Sequence, residues 1–286
     1  SLLSQNNFEV VTQDLLLEDI DPEAAAVVLF APSEDLDEAQ LDKLDAFLDN
    51  DGQKGKTLLY FAAANQPQLP NLETFLSEWG IVMEDATVYE TNFNRIYNYS
   101  PYYSIVDFVN TEIYEDTSAY LLMPNARVMD TAYTERDSRI VEVLLKFGST
   151  AKALPNDAAE DFDIESAETY AFPALIKSTL QKSSGNANAT GSALLESHVI
   201  VSSSAMSCES SLLSGSTFVN GKYYISLLNS LLGRESDFSI TAKTLDTTTL
   251  TMTNFQILSI GAVFAIIIPL ALLVVGVVVW LRRRHK

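Results

Sequence analysis

Twenty-seven consecutive residues, 255–281, carry no Asp, Glu, Lys or Arg, and Arg282-Arg283-Arg284-His285-Lys286 follows at once. A helix over 257–281 would reach roughly 37 Å, more than the ~30 Å hydrocarbon core of a bilayer. Lipid offers the backbone no hydrogen-bond partners, so one helix is the form expected there, with a kink at Pro269. Trp280 is the expected interfacial anchor, and Arg282, Arg283 and Arg284 are the positive-inside signal. The expected layout is an outside body over 1–243, a Thr-rich stalk over 244–254, a membrane helix over 255–281 and a cytoplasmic tail over 282–286. Residues 1–20 are polar and acidic and show no export signal. A body outside the membrane then calls for a membrane segment upstream of residue 1.

Charge narrows the body further. Residues 1–254 hold 14 basic and 38 acidic side chains, a net of −24. Nucleic-acid binding needs a clustered basic face, which this composition disfavours. One cysteine, Cys208, excludes a disulfide within the chain, and two histidines, His198 and His285, argue against a Cys/His metal site. There is no phosphate-binding glycine loop and no nucleophile elbow. The acidic run 157–168 lacks the register of a calcium loop and reads as a solvated surface. No metal and no cofactor is expected. A Cys208–His198 dyad would need an oriented third group, and none is apparent.

Apolar patterning predicts the elements. Residues 24–30 and 57–61 are continuous apolar runs, the mark of strands buried on both faces. Between them, Leu41, Leu44 and Leu48 repeat on one helical face behind a capping pair, Asp35 and Glu38. Asn71 is placed at the cap of a second helix carrying Leu72, Phe75, Leu76 and Trp79, closed by Gly80. Further strands are predicted over 139–147, 198–201 and 238–243, and a helix over 220–232. Residues 155–193 read as an inserted loop region, and the eight serines of 201–216 as another loop. Eight tyrosines between Tyr89 and Tyr133 could line a glycan- or peptide-binding surface or simply cover the sheet. Alternating strands and helices predict an α/β fold with a doubly wound, largely parallel sheet. Open sheets of that kind bind ligands outside the carboxyl ends of their strands. Pro32, Ser33, Ala63, Asn65, Ser202, Ser203 and Ser204 lie there and are the ligand-crevice candidates, with an empty crevice as the alternative.

Several stretches resemble the GldG-type family of auxiliary components of ABC-type transport systems. They are Phe8-Glu-Val-Val11, Ala26-Val-Val-Leu-Phe-Ala-Pro-Ser33 with the acidic helix after it, and Leu69-Pro-Asn-Leu72 running to Trp79-Gly-Ile81. Leu122-Met-Pro-Asn-Ala-Arg127, Val199-Ile-Val-Ser202 and Leu228-Asn-Ser-Leu-Leu-Gly233 are similar as well. The resemblance implies a degenerate class I glutamine-amidotransferase-like fold, two membrane spans, and a permease and an ATPase as partners beside the bilayer. Two departures stand out: the family's first span and first strand are missing, and its Gly-Gly turn is Asp51-Gly-Gln-Lys-Gly55 here. No residue carries the amidotransferase triad. The expected function is a non-catalytic extracytoplasmic accessory subunit of an ABC-type transporter in a bacterial cell envelope. The alternatives are a free-standing membrane-anchored receptor or adhesin for a glycan or peptide, and a degenerate amidotransferase-like hydrolase.

Overall fold

The structure is a computed structural model that describes residues 2–116, 118–183, 194–234, 253–267, 269–270, 273 and 280. After a one-turn helix α1 (Leu2–Gln5), strand β1 (Ala26–Phe30), helix α2 (Glu38–Asp49) and strand β2 (Thr57–Phe61) form a parallel crossover unit. Helix α3 (Pro70–Glu78) leads into β3 (Ile81–Glu90). Short strands follow: β4 (Ile96–Tyr97), β5 (Ser100–Phe108), β6 (Leu121–Pro124), β7 (Arg127–Thr131), β8 (Glu135–Arg136), β9 (Arg139–Lys146) and β10 (Ala151–Pro155). Two long strands, β11 (Pro173–Ser183) and β12 (Leu194–Ser202), precede α4 (Ser210–Ser214), α5 (Asn220–Leu231) and α6 (Asn254–Ala262).

Among the described residues the main sheet has nine strands in the order β1-β2-β12-β11-β9-β5-β4, with β6 on β5 and β8 on β9. Only β1–β2 and β2–β12 are parallel pairs; its other pairs are antiparallel. A second, three-stranded antiparallel sheet runs β10-β3-β7. The expected doubly wound, largely parallel sheet is therefore corrected to a mixed one. The reason lies in β11. Its second half is mostly polar, from Lys177 to Ser183 with only Leu180 apolar, and it follows an acidic stretch, so it reads as part of a loop. Yet it pairs with β12 and β9 on its two sides and reverses the strand direction in mid-sheet.

Period-two alternation sorts the core onto two faces. Leu58 and Tyr60 of β2 join Val199 and Val201 of β12 under α2 and α3. Leu59, Phe61 and Ile200 point the other way, toward Tyr223, Tyr224, Leu227 and Leu228 of α5. All five residues of β2 are buried, as expected of a central strand. By contrast β1 is the sheet's edge among the described residues, and Val28 and Phe30 are exposed there. Capping differs from expectation too. Asp37 and Gln40 form the capping box of α2. Asp35 instead accepts from the Asn71 and Leu72 N–H groups at the start of α3, at 2.8 and 3.1 Å. Pro70 occupies the first turn, where its missing N–H costs nothing.

The C-terminal expectation is overturned. Among the described residues no helix is long and apolar enough to cross a membrane. The membrane helix over 255–281 and the cell-membrane location with a cytoplasmic C-terminus are therefore not supported. Helix α6 opens on a Thr253–Gln256 capping box and covers nine residues before a π-turn at Val263–Ile267. The turn falls where Pro269 would set its ring against the carbonyl four residues back, a clash that a wider turn relieves. Among the described residues the apolar segment is thus α-helical over Asn254–Ala262 and π-helical over Val263–Ile267. Trp280, placed as an interfacial anchor, is exposed. Arg282, Arg283 and Arg284, and the strand expected over 238–243, lie outside the described residues.

Candidate functional site

The carboxyl ends of the three parallel strands do converge. Ala31 N–H donates to the Phe61 carbonyl at 2.8 Å, and Ala62 N–H to the Ser202 carbonyl at 2.9 Å. The crevice expected between them is occupied by the chain itself. After Ser202 the backbone turns across the strand ends into a 3-10 turn at Ala205–Cys208. Ala205 N–H donates to the Ala62 carbonyl at 2.6 Å, Ser203 N–H to Ala174 at 3.0 Å, and Arg127 N–H to the Ser203 carbonyl at 2.8 Å. Ser202, Ser203 and Ser204 are 1%, 0% and 0% exposed.

Side chains complete the seal. Ser204 Oγ donates to the Pro124 carbonyl and accepts from Ser207 N–H at 3.2 Å. The Tyr224 hydroxyl lies 2.6 Å from Ser207 Oγ and 3.3 Å from Ser202 Oγ. Asn220 Nδ2 donates to the carbonyls of Leu122, at 2.8 Å, and Ser207, at 3.0 Å. Its Oδ1 accepts from Leu122 N–H at 3.1 Å. On the other side, Gln66 Nε2 donates to the Pro32 carbonyl at 2.9 Å. Gln66 Oε1 accepts from the Tyr60 hydroxyl at 2.8 Å and from Ala63 N–H at 3.3 Å. Burial pushes the Tyr60 phenol up to about 12 and the Tyr224 phenol higher still. Of the seven crevice candidates, Ser202, Ser203 and Ser204 are interior, Pro32 and Ala63 are half-buried, and Ser33 and Asn65 face solvent. Ser203 Oγ is buried with no hydrogen-bond partner among the described residues.

Cys208 and His198 do not meet. His198 pairs with Thr57 at the start of β2. Ser202, where β12 ends, is four residues further on, roughly 13 Å along the strand. Burial first, then the Lys177 ammonium, hold the imidazole below its usual range, and Nδ1 lies 3.1 Å from Thr179 Oγ1. Cys208 packs against the α5 side of the core, and burial pushes its thiol up to about 12. A thiol so placed is a poor nucleophile, because the thiolate is the reactive form. Among the described residues no cluster of three or more His, Cys, Asp or Glu side chains is arranged to hold a metal ion. Within the acidic run, the backbone carbonyls of Ile164 and Glu165 accept from the buried Lys152 ammonium at 3.0 and 2.6 Å.

An open concavity lies at the other end of the sheet, in the tyrosine-rich region. It is a cleft of about 260 Å³ between β5 and the chain around Tyr120, with Arg95 and Asp107 in its wall. Arg95 Nη2 contacts Asp107 Oδ1 and the Ile105 carbonyl, both at 2.9 Å, and Nε lies 3.7 Å from Glu90 Oε2. The guanidinium lies against Gly148, where a Cβ would come within 2.4 Å of Arg95 Nε. Most of the tyrosines serve packing: Tyr89 meets Tyr102 edge-on, Tyr97 meets Phe218, and Tyr114 stacks on Phe108. Tyr99 and Tyr120 are exposed. Reasoning from motifs passed over Arg95. A signal was available, because Arg95 is the only Lys or Arg between Lys56 and Arg127.

No protein-family model and no curated protein matches the chain. Among solved structures it is similar to one described as "mmIFT52 N-terminal domain", at 15% identity and a TM-score of 0.53, over 80% of this chain and 87% of that one. At that identity the likeness is one of fold.

Proposed function

We propose that the chain is a non-catalytic accessory subunit of an ABC-type transport system, acting through surfaces that meet permease and ATPase subunits. The observation that carries the non-catalytic part is the self-filled crevice. The Ala31, Ala62, Ser203 and Ala205 N–H groups and the Ser204 hydroxyl at the parallel strand ends are spent on the chain's own carbonyls, and the Ser207 hydroxyl on Tyr224. The buried Cys208 thiol and its separation from His198 argue in the same direction and against a hydrolase. The transport part rests on the resemblance of the strand and helix motifs. Affinity purification of the full chain from its native host tests it: permease and ATPase subunits should co-purify in fixed proportion. Recovery of the chain without either subunit overturns the reading. A second reading, a receptor for a glycan or peptide, is favoured by the cleft beside the exposed Tyr120.

A further inference from the structure

Among the described residues, strand β1 ends the main sheet and no strand pairs with its outer edge. Its register fixes which backbone groups face outward. Thr57 N–H donates to the Ala25 carbonyl and Ala31 N–H to the Phe61 carbonyl. With Ala26 opposite Thr57 and Phe30 opposite Phe61, residues 25, 27, 29 and 31 bond to β2. Ala26, Val28 and Phe30 therefore turn their N–H and C=O groups away from the sheet. The side chains of these three residues share one face. Val28 is 40% and Phe30 53% exposed, and Phe30 stacks on Phe61 with ring centroids 4.8 Å apart. Edges are normally protected by charge, proline or a bulge. The AVVLF run of β1 has none of these, and its register with β2 is unbroken.

Charge specifies the occupant. Residues 1–42 contain eleven Asp and Glu and no Lys or Arg. Asp21 and Glu23 precede β1, and Glu34, Asp35 and Asp37 follow it. The lysines that approach are already engaged: Lys43 Nζ donates to the Leu15 and Glu18 carbonyls, and Lys56 Nζ to those of Pro22 and Ala24. Among the described residues, Asp19 with Lys43, at 3.4 Å, is the one ion pair these eleven acids make. Two copies meeting edge to edge would bring both acidic sets together, a repulsive arrangement.

We propose that β1 is a docking edge for an extended segment of another protein, apolar at alternate positions and bearing Lys or Arg at its ends. Main-chain hydrogen bonds to Ala26, Val28 and Phe30 supply affinity, and the alternating apolar side chains cover Val28 and Phe30. The inference does not depend on the transport reading.

The probe is a fluorescein-labelled heptapeptide, Lys-Val-Thr-Val-Thr-Val-Lys, with a control carrying Glu at both ends, titrated against the full chain. The lysine peptide should bind and the glutamate peptide should not. Binding should weaken with salt as the screening length falls from about 10 Å at 0.1 M toward about 3 Å at 1 M. Val28→Pro removes an outward N–H without touching the β1–β2 ladder, and edge positions accept proline. It should weaken the lysine peptide about tenfold, as expected for a lost hydrogen bond and a distorted edge. Amide exchange at Val28 and Phe30 in the wild-type chain should slow when the peptide is added, a readout that stands even if the proline variant fails to fold. Equal binding of both peptides, unchanged affinity in a folded Val28→Pro chain, or unprotected Val28 and Phe30 amides overturns the proposal. So does sedimentation of the wild-type chain as a dimer that Val28→Pro dissociates, since the occupant would then be a second copy.

Discussion

The two ends of the main sheet solve opposite problems. At the parallel end, three strands finish side by side, the arrangement in which open sheets leave a ligand crevice. Here the serine-rich segment after β12 folds back and consumes the available donors, so that Ser202, Ser203 and Ser204 are interior. At the antiparallel end no such convergence exists, yet a cleft of about 260 Å³ stays open, walled by an Arg95–Asp107 pair. A fold predisposes a location for a site; the side chains that follow each strand decide whether it is open. Where small hydroxyl side chains can reach neighbouring carbonyls they close the gap. Where a bulky guanidinium is held between two carboxylates, a concavity persists beside it.

Glycine substitutions probe that contrast most strongly. At Gly221, in the first turn of α5, a Cβ would come within 2.2 Å of the Leu213 carbonyl oxygen, so the backbone of α4 must move. At Gly148 the obstacle is the Arg95 side chain, which can swing into the cleft. Gly221→Ala should therefore destabilise by about 3 kcal/mol and Gly148→Ala by about 1 kcal/mol, the upper and lower ends of typical overpacking costs. Urea midpoints measure both. A larger loss at Gly148 would mean that the antiparallel end is the rigid one and would invert the comparison.

Legibility in the sequence divided along the same line. Strand β2, helix α2 and helix α5 were readable because each carries a strong apolar run or a helical repeat. Strand β1 was readable as a strand but not as an edge, because its run looks the same whether or not a neighbour covers it. Strand β11 was obscured by its Lys177, Ser178, Gln181 and Lys182, and with it the mixed direction of the sheet. Pro32, Ala63 and Ser202 sit where the parallel strands end. Their occupancy was not legible, because Tyr224 and Asn220 reach Ser202 and Ser207 from a separate helix, 13 to 22 residues on. Long-range polar pairing of this kind leaves no local signature.

Thiol chemistry offers a milder test of the sealed end. A Cys208 thiol at about 12 is on the order of a thousandfold less ionised at pH 8 than one near 9. Folded protein should thus react with a disulfide reagent far more slowly than urea-unfolded protein. Its raised value also means that the unfolded chain releases this proton first. The corresponding stability is present below pH ~9 and drains away as pH climbs toward about 12. Labelling of folded protein at the unfolded rate would indicate that the 3-10 turn over the strand ends opens readily, which would return the crevice to consideration.

The smallest expected effect belongs to His198, at the seam between the two halves of the sheet. It pairs with Thr57 of the parallel β2 on one side and with Thr179 of the antiparallel β11 on the other. Burial and the Lys177 ammonium disfavour its charged form, while Glu196 and Glu142 partly offset them. With the folded value below the unfolded one of about 6.5, the unfolded chain takes up the proton first on acidification. The stability from neutral His198 is therefore intact above pH ~6.5 and declines below it. His198→Gln keeps an amide able to meet Thr179 Oγ1 and removes the titration. Its urea midpoint should fall less than that of the parent chain between about pH 7.5 and 5.5. Lys177→Gln should also flatten the slope, by removing one cause of the depression, although it gives up the ion pair with Glu142. Parallel slopes in all three chains would mean that the imidazole is hydrated in the folded state, and that the seam between the parallel and antiparallel halves is looser than the packing around Thr57 and Thr179 implies.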